Sequence, residues 1–477
     1  MKIVTTMKKM KYFLLMMVVA ATTLVSCESL VDGLNDNPNK LTPEDVGAEL
    51  FLTGAQLANI VTQNGHLNRI AGMYSGQLVG YTSLYSNIYG YNLSTVESNS
   101  TWRAIYVGVV PQVREIRRKA PDDKLLVGIA KVLEAHAIGT AASLFGNIPY
   151  SEVADPEIPD PKFDDQIEVF NSLLDLLDEA IVDLNDGVSR NLSEDIYYGG
   201  DKDKWIQAAY TLKARYYLQL KQYDQAYQAA RDGIGSDDAS MKFYPRGDET
   251  TSGDKNLFYT VLAGSRGGDI GNHGSYLMSM ICPDTSWSRN NAKTNENARY
   301  WYYEIHEEGG PVNKGIIGMF EPMPMVTFAE NQLILAECAA RTVNFATALG
   351  HLNDLRAWLN SGAFLNDAFA DSSYLYEAYN AADFASGGIE NPDGVDPLQA
   401  LLREIIEERY VSGFGTYMPF NDVRRLRKSD SDLIVPFPLN PGGTDQPQRL
   451  PYAFTEINAN SNISEDPGLY EVTPVNR

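Results

Sequence analysis

The chain has 477 residues, of which 44% are hydrophobic and 21% are charged, and its formal net charge is −23. This composition is typical of a folded globular protein and excludes both a disordered chain and a protein with many membrane spans. The excess of acidic residues also disfavours nucleic acid as a partner, because phosphate binding depends on clustered lysine and arginine.

The N-terminal residues have the pattern of a bacterial secretion signal. A lysine-rich start, at Met1 or Met7, precedes an apolar run at 13–21, which is shorter than the roughly 20 residues needed to span a bilayer. The run is followed by "LVSC" (24–27), which resembles the lipobox that marks a cysteine for lipidation. We expect cleavage after residue 26 and acylation of Cys27, several acyl chains being a firm anchor. The alternative is an ordinary signal with an incidental cysteine.

A polar tether is predicted at residues 27–40, before a folded domain at 41–477. The tether is rich in Asp and Asn, as a solvated linker should be. Acidic residues just after a lipidated cysteine resemble the surface-export signals of lipoproteins in the Bacteroidetes phylum. We therefore expect a lipid-anchored outer-membrane protein that faces the cell exterior.

The middle of the chain predicts helices in antiparallel pairs. Residues 201–234 place large aromatic residues on a first helix, with Ala214 at its crossing point, and Ala226 on the helix that packs back. This spacing matches much of the tetratricopeptide pattern. A second copy occupies 330–359, and a weaker pair is formed by 125–143 with 166–186.

We predict a mostly α fold in which tetratricopeptide-like hairpins, at about 125–235 and 330–411, form a scaffold with long irregular loop regions. The segment 241–325 is rich in Gly, Asn, Ser and aromatic residues. Loops longer than about 15 residues are usually functional or disordered, and the aromatic content favours function. The segment 241–325 is therefore predicted to hold the ligand-binding insertions.

Three motifs resemble the SusD/RagB family of outer-membrane nutrient-binding lipoproteins. They are "NDNPNKLTPEDV" (35–46), "EERYVSGFGTYMPFNDVRRLRK" (407–428) and "QRLPYAFTEINANSNI" (448–463). Their order, behind a lipobox and around helical hairpins, carries the resemblance. The family's Glu-Gly-x-Arg element in the second block is replaced here by residues 414–417, so the salt bridge of that arginine is not carried over.

The resemblance implies a lid-like protein over a SusC-like TonB-dependent transporter, to which it delivers a captured oligosaccharide or, as in some members, a peptide. It implies no catalysis and no cofactor. The five histidines form no His-x-x-x-His pair, and neither a G-x-S-x-G elbow nor a Walker loop occurs. A surface glycan hydrolase, or an adhesin without a transporter, is the alternative.

Ligand-binding aromatics are expected from an early, tyrosine-rich segment. Tyr81, Tyr85 and Tyr89 follow one another at steps of four, which would place the three rings on one helix face. Flat rings can stack on the C–H faces of sugars. Burial of these tyrosines in the core is the equally open alternative.

A second set of ligand-binding residues is expected in "DTSWSRNNAKTNENARYWYYEIH" (284–306). Its aromatic and basic residues lie in a polar setting, where a core role is harder to explain. The predicted members are Trp287, Arg289, Tyr300, Trp301 and Tyr302.

Overall fold

The computed structural model describes residues 46–248, 253–284, 288–306, 312–463 and 465–477. The chain divides into Met1–Gly47 and Ala48–Arg477, and the fold described below is that of the second unit. The predicted signal at 1–26, the lipidation site Cys27 and the tether at 27–40 lie outside the described residues.

Helices dominate the described fold. In chain order they are α1 (Ala48–Asn64), α2 (His66–Tyr74), α3 (Ser83–Tyr89), α4 (Asn99–Arg103), α5 (Val110–Lys119), α6 (Lys124–Phe145), α7 (Gln166–Asp186), α8 (Lys202–Gln219), α9 (Tyr223–Arg231), α10 (Leu257–Thr260), α11 (Tyr276–Ile281), α12 (Asn297–Tyr303), α13 (Phe328–Thr342), α14 (Phe345–Asn360), α15 (Pro397–Ser412), α16 (Met418–Leu426) and α17 (Phe454–Ala459).

The strands are short and form four separate antiparallel pairs. They are β1 (Val79–Gly80), β2 (Ile148–Pro149), β3 (Phe163–Asp164), β4 (Met241–Phe243), β5 (Ile270–Gly271), β6 (Thr294–Asn295), β7 (Met323–Val326) and β8 (Leu375–Tyr376). β1 pairs with β5, β2 with β3, β4 with β7 and β6 with β8. Because the β1–β5 pair joins residue 79 to residue 271, it brings the early tyrosine-rich segment beside the 241–325 region.

The predicted helical pairs are confirmed. α6 packs with α7, α8 with α9, and α13 with α14, close to the boundaries expected from the sequence. Each first helix starts at a side chain that accepts a backbone N–H and so satisfies an otherwise unpaired donor. These N-caps are Asp123 for α6, Asp201 for α8 and Thr327 for α13.

Small residues let the hairpin helices approach closely. Ala214 of α8 and Ala226 of α9 are fully buried in a cluster that also includes Cys338 of α13. A Cβ atom on Gly139 of α6 would lie 2.2 Å from the hydroxyl of Tyr216, so this glycine makes room for α8. That hydroxyl donates to the carbonyl of Ala135 at 2.6 Å. The predicted scaffold therefore depends on steric fit at the crossings.

α6 is the central helix of the core. Across the described residues it alone is long and apolar enough to cross a bilayer, and 94% of its apolar window is buried inside the fold. The helix is apolar on all sides because neighbouring elements of the fold bury nearly all of it.

Where the structure describes it, the insertion between α9 and α13 contains only short elements, as the sequence predicted. The longest helix that the structure describes within residues 241–325 is α12, with seven residues. This insertion rests on α15, whose inward face carries buried glutamates beside apolar residues. The contact between α12 and α15 determines which side chains of the insertion reach the surface.

Candidate ligand-binding site

Helix α12 presents an aromatic pair to solvent. Tyr300 is half-buried and Trp301 is 47% exposed, whereas Ala298, Arg299 and Tyr302 are buried. The two rings meet edge to face, with centroids 5.1 Å apart and planes at 88°. The indole N–H of Trp301 donates to the side chain of Asn297 at 3.2 Å, which holds the indole against its own helix.

A buried ion cluster fixes α12 to α15. Arg299 is inaccessible to solvent and lies 3.3 Å from Glu296 and 3.0 Å from Glu408. Arg289, whose side chain is 5% exposed, contacts Glu296 at 3.0 Å, Glu408 at 2.9 Å and Glu404 at 2.7 Å. Burial alone would raise the pKa of Glu408, but Arg299 and Arg289 lower it to about 2. Glu408 is therefore ionised at neutral pH, and its ion pairs with Arg299 and Arg289 orient the helix.

A second anchor lies on the other side of α12. The hydroxyl of Tyr302 donates to one oxygen of Glu321 at 2.7 Å, and the amide of Asn366 donates to the other at 2.6 Å. Burial raises the pKa of Glu321. With Arg299 and Tyr302 both fixed inward, the helical period leaves Tyr300 and Trp301 facing out.

Two open depressions lie beside this aromatic pair, and Glu304 lines both. The Tyr300 depression holds about 520 Å³ of open space and is also lined by Asn272, His273, Ser275, Met278 and Tyr300. The Trp301 depression holds about 780 Å³ and is also lined by Trp301, His306, Lys314, Ala368 and Phe369.

The early tyrosines do not form one face. Tyr81 precedes α3, and its hydroxyl donates to the backbone carbonyl of His273 at 2.9 Å, at the edge of the Tyr300 depression. Tyr85 is 3% exposed, and its hydroxyl accepts from Arg69. Tyr89 is half-buried and packs beside Gly80. α3 begins only at Ser83, so Tyr81 falls outside the helical spacing that the sequence predicted.

The predicted residues of segment 284–306 separate into two groups. Tyr300 and Trp301 lie together at the surface, and Trp287 lies outside the described residues. Arg289 and Tyr302 are buried and bonded to glutamates, so each supports the site from behind and offers little surface to a ligand. The burial of Arg289 and Tyr302 could not be predicted locally, because their partners come from α15 and from residues 321–366, which are distant in the sequence.

Several residues that line the depressions were not predicted. His273, Glu304, His306, Lys314 and Phe369 fall in this group. Glu304 and His306 directly follow the aromatic run in the sequence, and this adjacency could have indicated that they line the depressions. Phe369 comes from the distant loop after α14, for which the sequence holds no local signal.

A scaffold of helical hairpins with an aromatic, loop-built surface site defines a class of binding protein. Residues 38–242 match the SusD-like family model described as starch-binding, associating with outer membrane. This match covers less than half of the chain, so the likeness to the SusD-like family is shown for residues 38–242. No curated protein matches the chain.

Solved structures with the same fold cover most of the chain. A SusD/RagB family protein from Bacteroides thetaiotaomicron has a TM-score of 0.67 at 20% identity, over 87% of this chain and 95% of that one. A SusD homolog from Bacteroides fragilis has a TM-score of 0.66 at 17% identity, over 91% and 100%. A chitin-binding SusD homolog from Flavobacterium johnsoniae has a TM-score of 0.61 at 18% identity, over 87% and 92%. At these identities the likeness is one of fold.

Proposed function

We propose that the protein is a lipid-anchored, outer-membrane nutrient-binding protein that captures an oligosaccharide at the cell surface and delivers it to a SusC-like TonB-dependent transporter. The description of the matched family and the chitin-binding homolog support a carbohydrate ligand. The observation that carries the proposal is the exposed Tyr300–Trp301 pair between two depressions.

The geometry suits stacking of sugar rings. Trp301 is nearly half exposed although indole is among the most hydrophobic side chains, and its orientation is fixed by Asn297. A pyranose that covers this ring removes apolar surface from water on both partners, which is favourable. Because the buried anchors of α12 already fix the helix, little ordering cost is added on binding. We expect modest affinity, since the ligand must be released to the transporter.

We propose a smaller set of ligand-contacting residues than the sequence predicted. Tyr81, Tyr300 and Trp301 lie at or beside the depressions and are proposed to contact the ligand. Trp287 stays a predicted ligand residue from the sequence. Arg289, with Tyr302, is proposed to hold α12 in place.

Replacement of Trp301 by alanine tests the binding site. We expect Trp301→Ala to weaken oligosaccharide binding about tenfold in calorimetric titration, through loss of one stacking surface. Phe454→Ala is the matched control, because Phe454 is 48% exposed and belongs to α17. Equal affinity of the Trp301→Ala variant and the parent would contradict the proposed site. Tighter binding of peptides than of any glycan would indicate that the captured ligand is a peptide.

Membrane attachment and the transporter are tested in native membranes. We expect the parent to fractionate with the outer membrane and to co-purify with a barrel transporter, and Cys27→Ser to release the protein from the membrane. Retention of the Cys27→Ser variant would contradict lipidation. Absence of a barrel partner would favour an adhesin, and release of hydrolysis products from a glycan panel would favour an enzyme.

A further inference from the structure

Glu304 is the residue shared by the two depressions. It follows α12 directly, and its backbone N–H donates to the carbonyl of Tyr300 at 3.0 Å. Its side chain is 19% exposed, and its Oε2 atom is shielded from water without a hydrogen-bond partner among the described residues. The Nε2 atom of His306 lies 3.2 Å from that oxygen. With Oε2 shielded beside His306, the oxygen left to accept from a ligand is Oε1, which makes no hydrogen bond among the described residues.

The two depressions differ in charge. Among the described residues that line the Tyr300 depression, Glu304 is the one acid and there is no lysine or arginine. Burial, followed by the negative charge of Glu304, raises the pKa of Tyr300. Each depression holds one histidine, His273 on the Tyr300 side and His306 on the Trp301 side, and among the described lining residues the Trp301 depression adds a lysine, Lys314. A cation is therefore favoured on the Tyr300 side and is opposed on the Trp301 side.

We propose that the Tyr300 depression binds the primary ammonium group of an amino sugar, and that Glu304 determines this specificity. The inference rests on the proposed function and names the class of its ligand: an oligosaccharide with unacetylated amino groups. The ammonium pairs with the carboxylate of Glu304 beside the Tyr300 ring, an arrangement that combines an ion pair with a cation–π contact. A neighbouring sugar ring stacks on Trp301. Sugars with carboxylate groups are disfavoured, because Glu304 repels them.

A paired titration tests this assignment in the purified full-length protein in detergent. The probes are chitosan hexamer, whose amino groups are free, and its fully N-acetylated counterpart, which has the same backbone without the charge. We expect the parent to bind the charged hexamer about fivefold more tightly at low salt, and 0.5 M salt to remove most of this preference. Glu304→Gln should remove the preference, so that the variant binds the two hexamers with equal affinity.

Glu157→Gln is the matched control, because it removes the same charge from an exposed loop residue far along the chain. If Glu157→Gln lowered the preference as much as Glu304→Gln, the effect would be one of overall charge and the assignment would be overturned. A lysine-containing peptide bound as tightly as the charged hexamer, and equally dependent on Glu304, would also overturn it.

The neutral hexamer separates this inference from the proposed function. Parent protein that binds both hexamers equally would contradict the role of Glu304 and leave carbohydrate capture supported. Parent protein that binds neither hexamer nor any other glycan would contradict the proposed function itself.

Discussion

Two buried ion clusters include residues of the same helix, α15, and they differ in their balance of charge. The platform cluster, below the aromatic pair, joins Arg289 and Arg299 to three glutamates that include Glu404 and Glu408. The scaffold cluster joins three arginines, Arg341, Arg409 and Arg425, to Glu337 of α13 and to two aspartates, Asp422 and Asp430.

The two clusters differ in the pKa values of their buried glutamates. Burial raises the pKa of Glu337, but its surrounding arginines outweigh this and lower it to about 2. In the platform cluster Arg299 and Arg289 likewise lower the pKa of Glu408 to about 2. Burial instead raises the pKa of Glu404 well above its ordinary value. In the scaffold cluster three arginines face three carboxylates, and Glu337 is the carboxylate that contacts all three arginines. The platform cluster contains more carboxylates than its arginines can compensate.

The two clusters join different parts of the molecule. Asp422 also contacts Arg409 at 2.8 Å and Arg425 at 2.9 Å, so the scaffold cluster links α13, α15 and α16. Its removal should weaken the whole fold. The platform cluster instead fixes α12 to α15, so its removal should act mainly on the ligand-binding surface.

The largest expected effect comes from Glu337→Gln. Loss of this carboxylate leaves buried arginines without their main partner, and breaking a buried pair in this way costs about 3–5 kcal/mol of unfolding free energy. Chemical denaturation of the variant and the parent measures the difference. Glu157→Gln, at the surface, should change the value by less than about 0.5 kcal/mol. A loss below about 1 kcal/mol in the Glu337→Gln variant would contradict the central role of Glu337.

Acid should destabilise the fold through the two glutamates with lowered pKa. Glu337 and Glu408 have folded-state pKa values of about 2, below the ordinary 4.5. As the pH falls from about 4.5 to 2, the unfolded chain takes up these protons first, so the unfolding free energy falls. Glu404 acts in the opposite direction, since its raised pKa favours the folded state as the pH falls from neutral toward 4.5. Denaturation curves between pH 7 and 2 measure both slopes, and Glu337→Gln should flatten the acidic one.

The sequence predicted the scaffold well because its signals are local. Alanine spacing in 201–234 and 330–359 predicted α8, α9, α13 and α14. Tyr300 and Trp301 were predicted as ligand residues from their polar surroundings, and in the structure Tyr300 is half-buried and Trp301 is exposed. The buried position of Arg289 was not predicted, because its partners Glu404 and Glu408 lie more than 100 residues further along the chain. The helical face expected for the early tyrosines was also not found, because α3 starts two residues after Tyr81.

The smallest expected effect comes from Glu404→Gln, and it separates the two clusters most sharply. Because burial already penalises the charged form of Glu404, its neutral replacement should cost less than about 1 kcal/mol of unfolding free energy. The amide oxygen can still accept from Arg289, which also keeps Glu296 and Glu408. Glu408→Gln, one helical turn away, is the matched comparison and should cost several times more while it weakens ligand binding. Equal losses for the two variants would mean that the platform cluster, like the scaffold cluster, has no carboxylate to spare.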